Sequence, residues 1–353
     1  MAVYTSINDS SAQFQTLLWT GDGNATRALT NTGNANLQPD WVWLKNRTDA
    51  ENHTLADTSR GITKRVSSNN DAAEDSNGLV SVQSDGFTVS QSNNGNTNAK
   101  NYVAWQWKVN GGTETASQAE SGSQIACSVQ ANTTAGISII TYTGTGGTGH
   151  TFLHGLGSTP AWHIIKRRSG TENWLVYHQN NTSDPATDHL LLDTGDATVD
   201  SATRYDDTSP NATEIACGNN AVINGDASTY VCYAFKEIKG YSKFGGYKGN
   251  SNADGTFVHT GFKPAWLMIK NISATQSWWI FDNKRPGYNG GDVRLRADRD
   301  TAESTGSRVD FVSNGFKWRD GDNAWNYEGN EFIYMCFAEH PFVSSEGIPV
   351  TAR

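Results

Sequence analysis

The chain has 353 residues, and 27 Lys and Arg against 36 Asp and Glu give it a formal net charge of −9. Because no basic run is present to neutralise a phosphate backbone, general nucleic-acid binding is not expected. No apolar run approaches the ~18 residues that cross a bilayer, and the opening MAVYTSINDS lacks the basic and apolar regions of a secretion signal. We therefore expect neither membrane insertion nor classical secretion.

One pattern of signals occurs three times along the chain. Each copy begins with an aromatic residue before a glycine-rich turn, in LWTGDGN, TYTGTGG and GYKGNSN. A Pro-x-Trp motif with an apolar run and a lysine follows, in PDWVWLK from Pro39, PAWHIIK from Pro160 and PAWLMIK from Pro264. Each copy closes with an aromatic and aliphatic run, YVAWQW, YVCYAF or FIYMCF. Because the separations between the Pro-x-Trp motifs follow those between the closing runs, we infer three repeats of one unit.

Alternation of apolar residues within the repeats predicts strands. In PAWLMIK, Trp266 and Met268 point to one side and Leu267 and Ile269 to the other, so both faces of this strand are apolar. Such a strand is expected to be central and covered on both sides. We expect its second face to be covered by packing against the next repeat or another subunit.

These signals predict an all-β protein of three tandem jelly-roll or concanavalin-like β-sandwich repeats. Residues 1–110, 126–238 and 239–353 form the repeats, and the small, polar segment 111–125 forms a linker. A single large barrel or a propeller is the structural alternative. Propeller blades, however, repeat at only about 40 to 50 residues, which is well short of the spacing here.

Motifs that suggest a cofactor or a metal site have stronger structural explanations. The glycines of GTGGTG, from Gly144, match part of a dinucleotide fingerprint, but neither a helical pattern nor an acidic residue about 20 positions on follows. A hairpin turn is favoured there. Asn250, Asn252 and Asp254 resemble the start of a calcium loop, yet Gly261 stands where its bidentate Glu belongs, so a polar turn is favoured and calcium is the alternative. We predict no metal and no other cofactor.

No sequence pattern indicates a catalytic group. The chain has no GxSxG motif, and its four cysteines form no CxxC pair and are predicted to be free thiols, with Cys232 and Cys336 in the core. Asp57 and Asp282 occupy equivalent places in the first and third repeats, but the second repeat has His178 there. A catalytic acid would ordinarily belong to one copy, so a structural role at the strand end is favoured over a pair for glycoside cleavage. We predict no catalytic residue.

Seven residues are candidates for surface contacts with a ligand or a partner. They are Lys45, Arg47, Lys166, Arg168, Lys270, Trp325 and Tyr327. The lysines end the Pro-x-Trp strand of each repeat, and the arginines follow two residues later. One explanation is a strand end that reaches solvent with its alkyl stem on tryptophan, and the other is a basic edge for an acidic partner surface or an anionic glycan. The two aromatic residues lie in the polar loop DGDNAWNYEGN, where exposed aromatic side chains suggest binding.

Several segments together resemble an uncharacterised family in marine tailed bacteriophages. They are FQTLLWTGDGN, PDWVWLKNR, YVAWQWK followed by NGG, HGLGSTPAWHIIKRR, KGYSKFGGYKGNSNADGTFVHTGFKPAWLMIK, and the terminal FAEHPF with TAR. Members of that family are repeat-bearing, lectin-like sandwich proteins regarded as virion structural or tail-fibre-like components. The resemblance covers essentially the whole chain. It implies concanavalin-like or jelly-roll sandwiches and a place on the particle, with no catalytic residue to transfer.

From this resemblance we expect a non-enzymatic virion protein, foremost a tail fibre or receptor-binding component. It would assemble in the host cytoplasm, where unpaired thiols persist. As a homo-oligomer it would contact other virion proteins and a glycan or protein of the host surface. A capsid decoration protein is the first alternative. A glycan-cleaving depolymerase on the same scaffold is the second, and it requires two carboxylates that face each other across a groove.

Overall fold

The computed structural model describes residues 4–92, 94–285, 293–306 and 308–350, and its named strands all pair antiparallel. The all-β fold class that the sequence predicts is therefore confirmed. The described helical segments are a 3-10 turn at Ser10–Ala12, α1 at Ala202–Tyr205 and α2 at Ala221–Asn224. Within the described residues, no helix combines the length and the apolar content that a membrane crossing needs.

The strands divide among the three repeats in chain order. The first repeat contains β1 (Phe14–Thr20), β2 (Thr26–Thr30), β3 (Trp41–Asn46), β4 (Thr54–Asp57), β5 (Ser81–Gln83), β6 (Gly86–Ser90) and β7 (Asn101–Trp107). The second contains β8 (Ala116–Gln118), β9 (Cys127–Asn132), β10 (Ile137–Thr143), β11 (His150–Leu153), β12 (Trp162–Arg167), β13 (Leu175–His178), β14 (Asp188–Leu191), β15 (Val199–Asp200), β16 (Glu214–Cys217) and β17 (Thr229–Phe235). The third contains β18 (Ser242–Lys248), β19 (Phe257–His259), β20 (Phe262–Asn271), β21 (Trp279–Asp282), β22 (Val293–Arg296), β23 (Ser304–Thr305), β24 (Val309–Val312), β25 (Gly315–Trp318) and β26 (Glu331–Pro341).

Two features of the structure bear on the predicted repeat boundaries. Segment 111–125, predicted as a linker, contains β8, which pairs with β9 at the edge of the second repeat's sheet. Part of that segment is therefore strand rather than linker. Residues 1–3 at the start of the first predicted repeat and 351–353 at the end of the third lie outside the described residues.

A four-strand pattern recurs in the large sheet of each repeat. The strand order is β1-β7-β3-β4 in the first repeat, β10-β17-β12-β13 in the second and β18-β26-β20-β21 in the third. The closing strand thus lies between the first strand and the Pro-x-Trp strand every time. The second sheet continues with β9 and β8 beyond β10 and with β14 and β15 beyond β13, while the third continues with β22 and β23.

A small sheet accompanies each large one, as β2-β6-β5, β11-β16 and β19-β25-β24. Its turn requires glycine in the first and third repeats. A Cβ atom at Gly86 would stand 2.0 Å from the carbonyl oxygen of Leu29, and one at Gly315 would stand 2.0 Å from that of Val258. Only a residue without a side chain allows strands this close. The first and third repeats have matching turn sequences here, SDGFTV from Ser84 and SNGFKW from Ser313. The second repeat lacks this pattern, and its small sheet has two strands.

The three large sheets share one hydrophobic core. Trp41 of the first repeat stacks on Tyr233 of the second with ring centroids 4.5 Å apart, and Trp107 meets Trp266 of the third edge-on at 5.7 Å. Phe235 of the second repeat lies 5.8 Å from Phe337 of the third. The large sheets of the three predicted repeats therefore pack around a common centre.

In the first and second repeats the opposite face of the large sheet packs into a cluster within the repeat itself, whereas Leu267 and Ile269 of the third repeat belong to the shared cluster. In the first repeat, Val42 and Leu44 pack with Leu29 and Phe87 of the small sheet in a cluster that holds only first-repeat residues. A small sheet can cover only one face of the large sheet, so the other face must be buried against neighbouring repeats. Both faces of the Pro-x-Trp strands are buried, which confirms the expected cover on both sides.

Candidate functional site

The three lysines of the Pro-x-Trp strands are buried at the junctions between repeats. Lys45, Lys166 and Lys270 are each 0% exposed, so the prediction that they stand at the surface is wrong. Lys166 Nζ donates to the Asp71 carbonyl of the first repeat at 3.0 Å, and Lys270 Nζ donates to the Gly195 carbonyl of the second repeat at 3.1 Å. Burial lowers the pKa of each lysine to about 8 despite nearby carboxylates. The ammonium groups of Lys166 and Lys270 therefore hold loops of neighbouring repeats.

The two arginines that follow these lysines also join repeats. Arg47 makes a bidentate contact with Glu303, with both N–O distances 2.8 Å. Arg168 makes the same contact with Glu74 at 2.9 and 3.0 Å. This pairing occupies the fork of N–H groups that would otherwise recognise a carboxylate of a ligand. The structure thus assigns Arg47 and Arg168 to contacts inside the protein, rather than to the basic edge that the sequence suggested.

Behind Glu74 lies a fully buried ion pair. Arg60 Nε is 2.5 Å from Asp57 Oδ2, and Arg60 Nη1 is 2.9 Å from Glu74 Oε2. The hydroxyl of Tyr233, from the second repeat, donates to Asp57 at 2.7 Å. Burial alone would lower the pKa of Arg60, but the charge of Asp57 beside it raises that pKa above its ordinary value. Arg168, Glu74, Arg60 and Asp57 therefore form one charged chain between the first two repeats.

The junction of the first and third repeats has the same arrangement. Arg285 Nε is 2.6 Å from Asp282, and Arg285 Nη1 is 3.5 Å from Glu303, which binds Arg47. Trp105 Nε1 of the first repeat donates to Asp282 at 2.9 Å. We call the two sets of contacts the charged junctions. One joins the first and second repeats through Asp57, Arg60, Glu74 and Arg168, and the other joins the first and third repeats through Asp282, Arg285, Glu303 and Arg47. The Asp-x-x-Arg spacing that the first and third repeats share is the sequence signal that could have identified them.

The two aspartates considered as a catalytic pair are both ion-paired within these junctions. Asp57 and Asp282 are fully buried and ion-paired with arginine. Each is the last residue of its strand, in keeping with the structural role favoured from the sequence. A pair for glycoside cleavage needs two carboxylates that both reach the substrate, and these two do not.

The junction of the second and third repeats carries neutral residues at the same positions, and we call it the neutral junction. His178 and Asn181 stand in place of Asp57 and Arg60 by their spacing from the strand end. Thr198 Oγ1 donates to Asn181 Oδ1 at 2.6 Å. Burial lowers the pKa of His178 to about 4, so its imidazole is neutral at pH 7. His178 Nε2 then donates to the carbonyl of the third repeat's strand β26, at 3.2 Å.

The two aromatic residues of the polar loop have different environments. Trp325 is only 2% exposed, so its predicted place at the surface is wrong. Its ring stacks with Trp318 at a centroid distance of 6.1 Å, and its Nε1 donates to Asp320. Tyr327 is 51% exposed. Of the two, it alone remains accessible, and its role in binding stays a prediction.

The segment that resembles a calcium loop forms a polar turn. The side-chain oxygens of Asn250 and Asn252 accept the backbone N–H groups two residues on, at 3.0 and 2.9 Å. Asp254 is paired with Lys317 at 2.5 Å. Within the described part of the chain, no three or more His, Cys, Asp and Glu side chains are grouped to hold a metal ion. All four cysteines are buried free thiols, as the sequence predicts.

Comparison with known proteins places the chain in a family. No curated protein and no solved structure matches it. Residues 9–341, which include every strand described above, match a family described as Domain of unknown function (DUF7483). The match spans far more than half of the sequence, and the chain belongs to this DUF7483 family.

Proposed function

We propose that this protein is a non-enzymatic component of a bacteriophage particle, a tail fibre or receptor-binding protein that attaches to the host surface. The observation that carries the proposal is the closed body of three repeats. One aromatic core and two buried charged junctions tie distant parts of the chain together. Such a body is suited to hold peripheral loops in fixed positions, as an attachment protein requires. The resemblance of the sequence to phage virion proteins supports the particle as its location.

The proposed lack of catalysis rests on where the acidic and basic side chains lie. The strongest candidates for acid–base chemistry, Asp57 and Asp282, are enclosed in ion pairs. Burial lowers the pKa of His163 to about 3 and that of His154 to about 4. These imidazoles are therefore neutral over the physiological pH range, and His163 has no exposed edge for a substrate. Rigidity, rather than proton transfer, is what these residues supply.

Localisation on purified particles tests the proposal. Antibodies against the folded chain, followed by electron microscopy of intact phage, should label the tail. Label spread over the head lattice would instead favour a capsid decoration protein, and absence of the chain from particles would refute the proposal. Purified protein should compete with phage for adsorption to host cells. Release of reducing ends from host polysaccharide by the purified chain would overturn the non-enzymatic assignment.

A further inference from the structure

The first strand of the four-strand pattern, β1, β10 or β18, turns alternate backbone groups away from the closing strand in each large sheet. Phe14, Ile137 and Ser242 pair with the last aromatic residue of the closing strand in their repeats. Counting two residues on, Thr16 in β1, Ile139 in β10 and Phe244 in β18 are therefore equivalent positions. Alternate residues of an antiparallel strand turn their N–H and C=O groups away from the partner strand. All three of these residues face outward.

Two of the three positions are satisfied within the chain. Ile139 pairs with Gln130 of strand β9, which covers the edge of β10. At Phe244, side chains replace the missing strand. Gln179 Nε2 donates to the Phe244 carbonyl at 2.7 Å, and the Phe244 N–H donates to Glu237 at 3.0 Å. An amide donor and a carboxylate acceptor thus complete this edge of the sheet.

The third position, Thr16, opens into a cavity of about 160 Å³ between the first and third repeats. Asn283 is the counterpart of Gln179 but is one methylene shorter, and its Oδ1 atom has no hydrogen-bond partner. Glu339 is the counterpart of Glu237 but is paired with Lys263 at 2.6 Å. In the part of the chain that the structure describes, Thr16 therefore has no equivalent of the two bonds that complete the edge at Phe244.

Further polar atoms converge on this cavity. Ser10 Oγ and Thr16 Oγ1 are buried without hydrogen-bond partners, although the residues are only 1% and 7% exposed. Native proteins rarely leave several such groups together without a partner from the protein, from water or from a ligand. Phe14 adds an apolar wall, and the exposed Lys284 lies at the opening. The cavity is therefore a preformed polar pocket with both hydroxyl and amide groups along its lining.

We propose that this pocket binds a single sugar unit that carries an N-acetyl group. Its amide N–H would donate to the Thr16 carbonyl, as Gln179 Nε2 does at Phe244, and an adjacent sugar hydroxyl oxygen would accept the Thr16 N–H, as Glu237 does there. Sugar hydroxyls would donate to Asn283 Oδ1 and bond with the hydroxyls of Ser10 and Thr16. The volume has room for roughly ten water-sized groups, near the size of one sugar ring. This inference deepens the proposed attachment function and rests on it for the glycan as ligand class.

Titration of the whole chain with N-acetylglucosamine and N-acetylgalactosamine, followed by saturation-transfer NMR and calorimetry, tests the proposal. Glucose and galactose serve as matched sugars without the amide. We expect saturable binding of at least one acetylated sugar, and at least about tenfold weaker binding of its parent hexose, since one lost hydrogen bond is worth about that factor. Equal binding of both kinds of sugar, or no saturation at millimolar concentrations, would overturn the proposal.

Substitutions locate the binding. Asn283→Gln restores the longer amide found at Gln179, so its Nε2 should donate to the Thr16 carbonyl, take the place of the sugar amide and abolish sugar binding without loss of thermal stability. Ser10→Ala with Thr16→Val should weaken binding at least about tenfold, whereas Gln179→Leu at the equivalent junction should leave it unchanged. If folded Asn283→Gln and the double variant both bind as wild type does, the pocket is not the site. Sugar binding by a chain absent from particles would refute the proposed function alone, and a particle-borne chain that binds no sugar would refute this inference alone.

Discussion

The charged and neutral junctions hold the same backbone geometry with different chemistry. The N–H groups of Glu74 and Glu303 donate to the carbonyls of Arg168 and Arg47 at 3.0 Å, and Thr198 donates to Ile272 at 3.1 Å. The equivalent bond thus forms whether the side chains above it are ionised or neutral. The shared core and the backbone therefore set how the repeats meet. The ion pairs then occupy buried space that this geometry leaves.

The energetic roles of the two kinds of junction differ, however. A buried ion pair gains little over well-packed neutral residues, because desolvation of two charges offsets their attraction. Removal of one partner is costly, because the other charge then stays buried and unpaired. The charged junctions should therefore be fragile to single substitutions and tolerant of complete replacement. The neutral junction should show neither property.

The largest effect is expected at the centre of a charged junction. Arg60→Leu leaves the carboxylate of Asp57 fully buried without its cationic partner, while Glu74 keeps only Arg168. We expect the free energy of unfolding to fall by about 3–5 kcal/mol, as measured by urea denaturation at pH 7. The matched change at the neutral junction, Asn181→Leu, removes only one hydrogen-bond partner and should cost about 1 kcal/mol. Equal losses for the two variants would contradict the comparison.

The sequence predicts the repeat and its strands better than the contacts between repeats. Alternating apolar residues such as Leu267 and Ile269 report burial on two faces from local spacing alone, and both are buried. Arg47 and Glu303, by contrast, are 256 positions apart in the chain. No local pattern reveals that the loop of one repeat covers the strand end of another. For this reason Lys45 was expected at a solvent-exposed strand end, although it is buried.

The sequence also does not predict the pocket at Thr16. Serine, threonine and asparagine are dense throughout the chain, so Ser10 and Asn283 carry no distinguishing signal. Their importance emerges only when the three equivalent strands are compared and one is found without the bonds that complete the others. Trp325 shows the reverse error, because a polar loop made an aromatic residue look exposed. The loop instead folds its indole onto Trp318.

A smaller effect is expected at the outer end of the same junction, where solvent reaches the ion pair. Arg168→Gln should lower the free energy of unfolding by about 1–2 kcal/mol, because two charge-assisted hydrogen bonds to Glu74 are lost while water can still hydrate the carboxylate. The difference from wild type should shrink in ~0.5 M NaCl, since salt screens partly exposed charges. Thr198→Val at the neutral junction should show no such salt dependence. A salt-independent loss for Arg168→Gln would argue against an electrostatic contribution.

All three junctions share the buried lysine, which gives a test by pH. Lys270 has a pKa of about 8 when folded and an ordinary value of 10.5 when unfolded. Between these values the unfolded chain binds more protons, so this lysine makes the free energy of unfolding rise with pH. Relative to Lys270→Met, wild type should gain about 1 kcal/mol per pH unit across this window. Lys45→Met and Lys166→Met should give the same slope, and parallel pH profiles for wild type and variants would refute the burial of the ammonium groups.

The smallest effect is expected when a charged junction is converted completely into the neutral one. The fourfold variant is Asp57→His, Arg60→Asn, Glu74→Thr and Arg168→Ile. It places the residue types of the neutral junction, His178, Asn181, Thr198 and Ile272, at the charged junction of the first two repeats. The introduced imidazole can accept a hydrogen bond from the Tyr233 hydroxyl, which donates to Asp57 in the wild type. We expect the free energy of unfolding to stay within about 1 kcal/mol of wild type, because desolvation and attraction are removed together.

Arg60 is replaced in this fourfold variant and also in Arg60→Leu, the single substitution that is expected to be the most destabilising. Comparison of the two free energies of unfolding therefore separates the contribution of backbone geometry from that of charge. A loss as large as that of Arg60→Leu would mean that the ion pairs themselves hold the first two repeats together. Retained stability would mean that the aromatic core, with Trp41 stacked on Tyr233, already fixes the junction. In that case the charges determine which repeats can pair, more than how stable the junction is. A carboxylate at the wrong junction would be buried without a partner.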